Sequence, residues 1–472
     1  MSVRRTTVVL LVLVALVATA ACGSRLSTDE REAAIARGDG TGQRSTDGEV
    51  GTTDGTTDGT TDGTTGGTTG GTAGGTTGGT TGGSTGGGTG GTGGGSGAAC
   101  TPGTATSTGV TPTEIKVGNV SQISGLVPGF GKTGVNGVKA YFNMVNTNGG
   151  VCGRKLTLVE ADDRFQSANN RSETEKLAGQ VIAFVGSTTV VDDGGAPIID
   201  AKGVADISLT TTAPRTAAKN NFSPNPIDPT PGAGNGAAKI LSYFKATYGV
   251  SKAAIFYQDV ATGVNQSKNY EIDFAKAGIP VVAKYPVAPT ATNFRSQATD
   301  MKERGVDIVI TVAEVNAIAN LARAFSDVGY QPKVPFYGAQ AYSQKLIQLA
   351  GPAAEGTKIG LIFAVPEEGA ANPAIQEFST WYARTAPGQD PDFFAILSWV
   401  AADMFVQALA QAGPDPTQAK ILEQMRTFTD YSGDGLVKSI NPAQKRQPQC
   451  YHVVEVKAGK WVPTYPARGF QC

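Results

Sequence analysis

The sequence predicts an α/β fold of two lobes that face each other across a cleft. Three observations point to it. From Thr113 onward, short apolar segments alternate with amphipathic ones, the pattern of parallel strands covered by helices on both faces. The alternation falls into two runs separated by Phe222–Gly236, FSPNPIDPTPGAGNG, whose four prolines forbid a helix and favour an extended crossing. Several amphipathic segments stop at a glycine (Gly278, Gly305, Gly329), where a left-handed C-terminal cap needs no Cβ.

The first run opens with an apolar strand at Ile115–Val120, which feeds a Ser/Gly loop. A helix over Gly134–Val145 follows, with Val135, Val138, Phe142 and Val145 at helical spacing. An Asn-Gly-Gly stop leads to a second strand, Lys155–Ala161, that ends in acidic residues. This β-α-β unit leaves a roomy loop after its first strand, and ligands of open α/β sheets sit at the carboxyl ends of strands. Val181–Val185 and Val204–Leu209 complete the first set of strands. The second run places strands at Ala253–Tyr257, Val281–Val287, Asp307–Val312 and Val334–Tyr337. Its helices are expected over Lys239–Tyr248, Val264–Ala277, Asn293–Arg304 and Val315–Val328. The C-terminal part differs, with helices over Pro373–Ala386 and Pro391–Ala412 and a hairpin, Tyr451–Val456 and Lys460–Thr464, around Ala458-Gly459. Two α/β lobes with a cleft between them make a hinge architecture.

The front of the chain is not globular. Arg4 and Arg5 precede an apolar run, Thr6–Ala18, about the length of a signal-peptide core and short for a spanning helix. Thr19-Ala20-Ala21-Cys22 resembles a bacterial lipobox, which implies cleavage before Cys22 and lipid on that cysteine. Thr19 departs from the pattern and leaves open ordinary cleavage at the same alanines or a retained membrane helix. The arginine pair hints at twin-arginine export, but Val3 and Thr7 fit that pattern poorly. Gly40–Ala99 is a run of GTTD, GTTG and GGT repeats with almost no apolar side chains to offset its ordering entropy, so disorder is expected. A flexible chain of about 60 such residues spans roughly 40–45 Å, a suitable tether between a membrane and a domain. A neutral repeat expansion would look the same.

The 39 Lys and Arg balance the 40 Asp and Glu, so a nucleic-acid partner, which wants a basic patch, is not expected. The single histidine, His452, sits inside a strand pattern and reads as structural; His-rich metal sites are excluded. Of the five cysteines, Cys22 belongs to the front. The remaining four belong to an exported domain, where disulfides are the natural reading. They allow three pairings, of which the sequence-local one, Cys100–Cys152 with Cys450–Cys472, is expected. Nothing in the sequence calls for a cofactor.

Thr113 to Val462 resembles the type I periplasmic solute-binding proteins, in particular the leucine/isoleucine/valine-binding branch of ABC importers. The resemblance is carried by Ile115–Gly118, Ser124-Gly125, Phe130–Gly137, Asn146–Leu156 and Glu160–Asp163. It continues through Phe184–Ser187, Ser208–Pro214, Ala291–Ile310 and Ala353–Gly360. No single motif decides it; their order does. It implies two Rossmann-like lobes joined by a three-strand hinge, with the third crossover near Val437–Pro442. The chain then divides into a signal peptide (1–21), a lipid-anchored linker (22–99), the first lobe (113–229 and 362–438) and the second (230–361 and 439–472, with the tail).

The resemblance also implies a pocket. The loop from Ser187 through Thr188, Thr189 and Asp192 to Asp193 matches a loop that holds a ligand carboxylate through hydroxyls and backbone N–H groups, chemistry suited to a helix start. Thr210 and Thr212 match a carbonyl and a hydroxyl that grip an amino-acid head group. Phe130 matches an aromatic lining position, Thr262 a closing tyrosine, and Gln340 an acid that pairs with the ligand ammonium. Two departures stand out. Gln340 is neutral, and a charge-assisted bond is roughly twice as strong as a neutral one. Asp192 and Asp193 would repel an anion where one should dock, and with Glu314 across the cleft they would welcome a cation. Alternatively, Asp193 is the N-cap of a helix near Ala196–Lys202. The ligand is therefore an amino acid, amide, polyol, cationic compound or related small polar molecule. Tyr342 is weighed evenly between stacking on a ligand and packing; Tyr337, Trp381 and Trp399 read as packing residues, and Asp162-Asp163 as loop caps.

The function expected is a lipid-anchored extracytoplasmic receptor that captures a small molecule by lobe closure and delivers it to an ABC permease. No P-loop is present, so energy must come from partner chains. The alternative is a receptor domain that signals to a membrane partner without import. An enzyme is not expected: there is no Gly-X-Ser-X-Gly elbow and no convergent acid-base set.

Overall fold

The computed structural model describes residues 103–104, 106–125 and 130–472. The expected signal peptide, the Gly/Thr-rich linker, Cys22 and Cys100 lie outside the described residues.

The first run builds a four-stranded parallel sheet. β1 (Glu114–Ser121) leads to α1 (Lys132–Thr147), β2 (Lys155–Asp162), α2 (Ser167–Ala178), β3 (Ala183–Val185), α3 (Ala196–Lys202), β4 (Ala205–Ile207) and the short α4 (Ala213–Ala217), with strand order β2-β1-β3-β4. The second run supplies α5 (Ala238–Tyr248), β5 (Ala253–Gln258), α6 (Ala261–Lys276), β6 (Val281–Val287) and α7 (Arg295–Glu303). It goes on through β7 (Ile308–Val312), α8 (Val315–Asp327), β8 (Val334–Phe336), α9 (Gln344–Ala350) and β9 (Lys358–Leu361). After α10 (Pro373–Thr385), α11 (Phe393–Gln411) and α12 (Gln418–Met425), the hairpin β10 (His452–Lys457) and β11 (Lys460–Tyr465) completes a seven-stranded sheet ordered β11-β10-β9-β8-β7-β5-β6. β5 to β9 are parallel; β10 joins β9 antiparallel and closes the mixed edge.

The expected strands and amphipathic helices are present, and Gly278, Gly305 and Gly329 adopt positive φ at helix ends. Ala458 and Gly459 both have positive φ, as the tight turn of the hairpin requires. Phe222–Gly236 contains neither helix nor strand. Helices α2, α4, α9 and α12 and strand β9 are additions. α2 shows no apolar stripe because part of its buried face is polar: Asn170 Nδ2 donates to Asp163 (3.1 Å), and Asn170 Oδ1 accepts from Gly195 N (2.8 Å).

Chain order and spatial order part company at the C-terminal helices. α10 and α11 pack on α1, and α11 also meets β3 and β4, so these late helices cover the first sheet. Among the described residues α11 alone is long and apolar enough to cross a membrane, yet most of it is buried in the protein interior. The chain leaves the second sheet and returns to it side by side, where Ala364 N donates to Leu436 O (2.7 Å) and Phe363 bridges Val437. Cys450 and Cys472 form a disulfide, and Cys152 is also disulfide-bonded.

Candidate ligand cavity

A cavity of about 200 Å³ is lined from both sheets. Its wall is built from segments that follow the carboxyl ends of strands: Gln122 after β1, Leu209–Thr211 after β4, Gln258 at the end of β5, Pro289 after β6, Thr311–Glu314 at β7, and Ala339-Gln340 after β8. This is where open α/β sheets place ligands. Phe393 and Phe394 enter from the first turn of α11. Asp392 holds that turn, accepting from Phe394 N and Ala395 N (both 3.0 Å) and from Thr133 Oγ1 (2.9 Å). Burial pushes the Asp392 carboxyl up to about 6.

The structure brings five of the expected residues to this wall: Phe130, Thr210, Thr262, Glu314 and Gln340. Phe130 packs against Phe394 with ring centroids 4.6 Å apart. Thr262 lies in the first turn of α6, which begins earlier than its periodicity predicts. Its Oγ1 donates to Val190 O (2.8 Å), a hydrogen bond from the second sheet's unit to the first's. The adjacent Gly263 lets α6 start against β5, since a Cβ there would lie 1.9 Å from Gln258 O. Gln340 Nε2 donates to Ala313 O (3.2 Å).

The other expected residues are turned inward. Ser187 Oγ accepts from Val120 N (3.1 Å) while Ser187 N donates to Ser208 Oγ (3.0 Å). Thr188 N donates to Ser121 Oγ (2.9 Å), and Thr189 Oγ1 accepts from Val191 N (3.2 Å). All three are buried away from the cavity. Asp192 is 2% exposed, and its carboxylate accepts from Thr211 N (2.7 Å), Thr212 N (3.1 Å) and Thr212 Oγ1 (2.5 Å). Thr212 is thereby committed to Asp192. Burial drives the Asp192 carboxyl up to about 6, against the opposing pull of Arg215 and these hydrogen bonds. Tyr342 is buried too, its hydroxyl donating to Glu367 (2.6 Å) and its ring lying 5.5 Å from Trp461.

The expected cation site of Asp192, Asp193 and Glu314 is not assembled. Glu314 caps α8, accepting from Asn316 N (2.7 Å), Asn316 Nδ2 (2.6 Å) and Ala317 N (2.7 Å). Asp193 accepts from Ser167 Oγ (2.9 Å) and does not cap α3, whose N-cap is Gly195. Among the described residues no cluster of three or more metal-ligating side chains occurs. Asp162 accepts from Ile123 N (3.0 Å), Ser124 N (3.1 Å) and Arg164 N (3.0 Å), a loop cap. Trp399 packs edge-on to Tyr141, Trp381 lies under Arg384, Tyr337 is buried, and His452 Nε2 meets Phe363 O (2.7 Å).

Sequence reasoning missed the wall's carboxamides, Asn225, Asn235, Gln258 and Gln266, and apolar members such as Phe165, Ile227 and Tyr270. Position was the available signal for some: Gln122 directly follows the first strand, and Phe393-Phe394 open a helix behind an Asp cap.

A model of the periplasmic binding protein family matches residues 114–460, and the chain belongs to that family. The Leu/Ile/Val-binding protein homolog 3 of Brucella melitensis is 23% identical over 319 residues, which is 66% of this chain and 83% of that protein. Among solved structures, a fatty acid ABC transporter substrate-binding protein from Thermomonospora curvata matches with TM-score 0.66 at 22% identity, covering 76% of this chain and 93% of that one. LivJ from Streptococcus pneumoniae, a branched-chain amino acid transporter substrate-binding protein solved with isoleucine, matches with TM-score 0.61 at 19% identity, covering 74% and 98%. The fold is that of type I periplasmic binding proteins, and the family is one of exported solute-binding proteins, not enzymes.

Proposed function

We propose that this chain is the extracytoplasmic receptor of an ABC importer, anchored by lipid on Cys22 and tethered through its Gly/Thr-rich segment. In this reading 113–229 with 362–438 form one lobe and 230–361 with 439–472 the other. A small molecule settles in the cavity, the lobes close, and a membrane permease with its own ATPase reads the closed form. Ligand shifts the balance only by its differential affinity for open and closed forms. The single observation that carries this reading is the cavity itself, walled from both sheets at the carboxyl ends of their strands. The Thr262–Val190 hydrogen bond joins the two sides of the cavity and supports this reading.

Two measurements test it. A thermal-shift screen of the mature protein against amino acids, amides, polyamines, alcohols and sugars should find a class that raises the melting temperature, because a ligand that binds only the folded state stabilises it. Deleting the gene should abolish cellular uptake of that same solute. Normal uptake after deletion, with loss of a transcriptional or signalling response to the solute, would shift the role to sensing. A Cys22→Ala chain should leave the membrane fraction; retention there would refute the lipid anchor.

A further inference from the structure

We propose that the cavity takes an uncharged molecule, an amide or alcohol with an apolar body, and that Asp192 sets this choice by filling the donors a ligand carboxylate would need. The inference rests on the solute-binding reading above and adds the ligand class.

Three donors converge beside the wall: Thr211 N, Thr212 N and Thr212 Oγ1. Thr211 itself lines the cavity, as does Val190, two residues before Asp192. Such a cluster suits a carboxylate, and it already holds one, that of Asp192. A ligand carboxylate arriving there would find the donors taken and a like charge behind them. Nor is there a cation elsewhere to receive it: among the described residues of the wall none is Lys, Arg or His. A ligand ammonium fares no better. The one acidic side chain in the wall, Glu314, has both oxygens engaged at the start of α8, and Gln340 is neutral. A zwitterionic amino acid therefore meets no cation for its carboxylate and, for its ammonium, only Glu314, whose two oxygens already serve the helix cap.

The wall does offer neutral partners. Thr210 is 7% exposed, and its Oγ1 has no hydrogen-bond partner; Asn235 Oδ1 has none either. Both residues line the cavity. A hydroxyl donates or accepts, whereas an amide oxygen only accepts. A carboxylate brings no proton for Asn235. A carboxamide brings an N–H for Asn235 and a carbonyl for Thr210; an alcohol brings an O–H. Around these points the surface is apolar, with Phe130, Phe165, Ile227 and Phe394 among its members.

The experiment uses the full mature chain at pH 7.5 and four compounds that share one branched body: isocaproamide, isohexanol, isocaproate and leucine. Melting temperature and calorimetry should show binding of the amide or the alcohol, with isocaproate and leucine at least tenfold weaker. Asp192→Ala vacates the three donors, so formate or acetate, but not chloride, should raise the melting temperature of that variant and not of the unaltered chain. Its affinity for isocaproate should rise at least tenfold. If Asp192→Ala does not fold, Asp192→Asn, which removes the charge but still fills part of the donor set, should show a smaller gain for isocaproate in the same direction. Tight binding of leucine or isocaproate by the unaltered chain, or an Asp192→Ala protein indifferent to formate, overturns the inference and leaves the receptor reading standing. A chain that answers to no solute of the wider panel defeats the receptor reading, while the formate response still reports on Asp192.

Discussion

Glu314 lines the cavity and Asp192 lies buried behind its wall at Thr211, and each carboxylate accepts three hydrogen bonds, yet they are different devices. Glu314 takes its bonds from the two or three residues that follow it, a local cap at the start of α8. Asp192 reaches 19 and 20 residues down the chain to Thr211 and Thr212, and it is almost wholly buried. Glu314 remains partly exposed. The first is a helix-end contact with water as its alternative partner. The second replaces water entirely, so its loss leaves buried donors with nothing to bind. A carboxylate near a cleft is thus no evidence of a cation site until its existing donors are counted.

Unequal cost is the largest consequence. Asp192→Ala should lower unfolding stability by about 3 kcal/mol or more, since it leaves three donors unbonded and each buried unsatisfied group costs about 1–3 kcal/mol. Glu314→Ala should cost only about 1 kcal/mol, an ordinary cap. Urea denaturation of both variants measures the difference, and equal losses would erase the contrast drawn here.

The pH dependence sharpens it further. The folded-state pKa of Asp192 is raised from 3.8 to about 6 by burial, so between those values the folded chain holds more protons than the unfolded one. That contribution is fully present below about pH 4 and is lost as pH rises through about 6. Asp392, raised in the same way, behaves likewise. His452 has the opposite sign: burial lowers it from 6.5 to about 4, so its contribution is present above 6.5 and lost as pH falls toward 4. The His452 contribution opposes those of the two aspartates in the unaltered chain. Asp192→Asn removes one of them, by up to about 3 kcal/mol at 1.36 kcal/mol per pKa unit. On going from pH 7.5 to pH 4.5 its urea midpoint should therefore gain less, or lose more, than that of the unaltered protein. Parallel curves would mean that Asp192 titrates as it does in the unfolded chain.

The smallest effect concerns closure. Thr262→Val removes the hydrogen bond to Val190 while keeping the shape of the side chain. Ligand affinity should fall about fivefold, the equivalent of one net hydrogen bond of about 1 kcal/mol. Unchanged affinity would show that this contact does not contribute to the bound state.

Much of the architecture was legible because its signals are local. The apolar strand at Ile115–Val120, the stripe of Val135, Val138 and Phe142, and the glycine stops at 278, 305 and 329 each state a backbone preference within a few residues. α2 was hidden because its buried face carries Thr174 and Asn170, whose amide is satisfied by Asp163 and Gly195, so no apolar stripe exists to be read. The site divided along the same line. Thr262, Gln340, Phe130, Thr210 and Glu314 reach the cavity because they follow strand ends or open helices, positions set by chain order. Ser187, Thr188 and Thr212 share that placement, but neighbours distant in sequence, namely Val120, Ser121, Ser208 and Asp192, claim their hydrogen bonds.

The sequence by itself therefore determined the α/β class, the two runs of strands, the family and the edge at which a ligand must lie, since periodicity and turn residues act over a turn or a strand. Tertiary structure alone decided which polar groups face the cavity. A hydrogen-bonding side chain near a cleft serves whichever partner lies within about 3 Å, and partners 19 to 67 residues away in the chain are fixed only when the sheets and loops have packed.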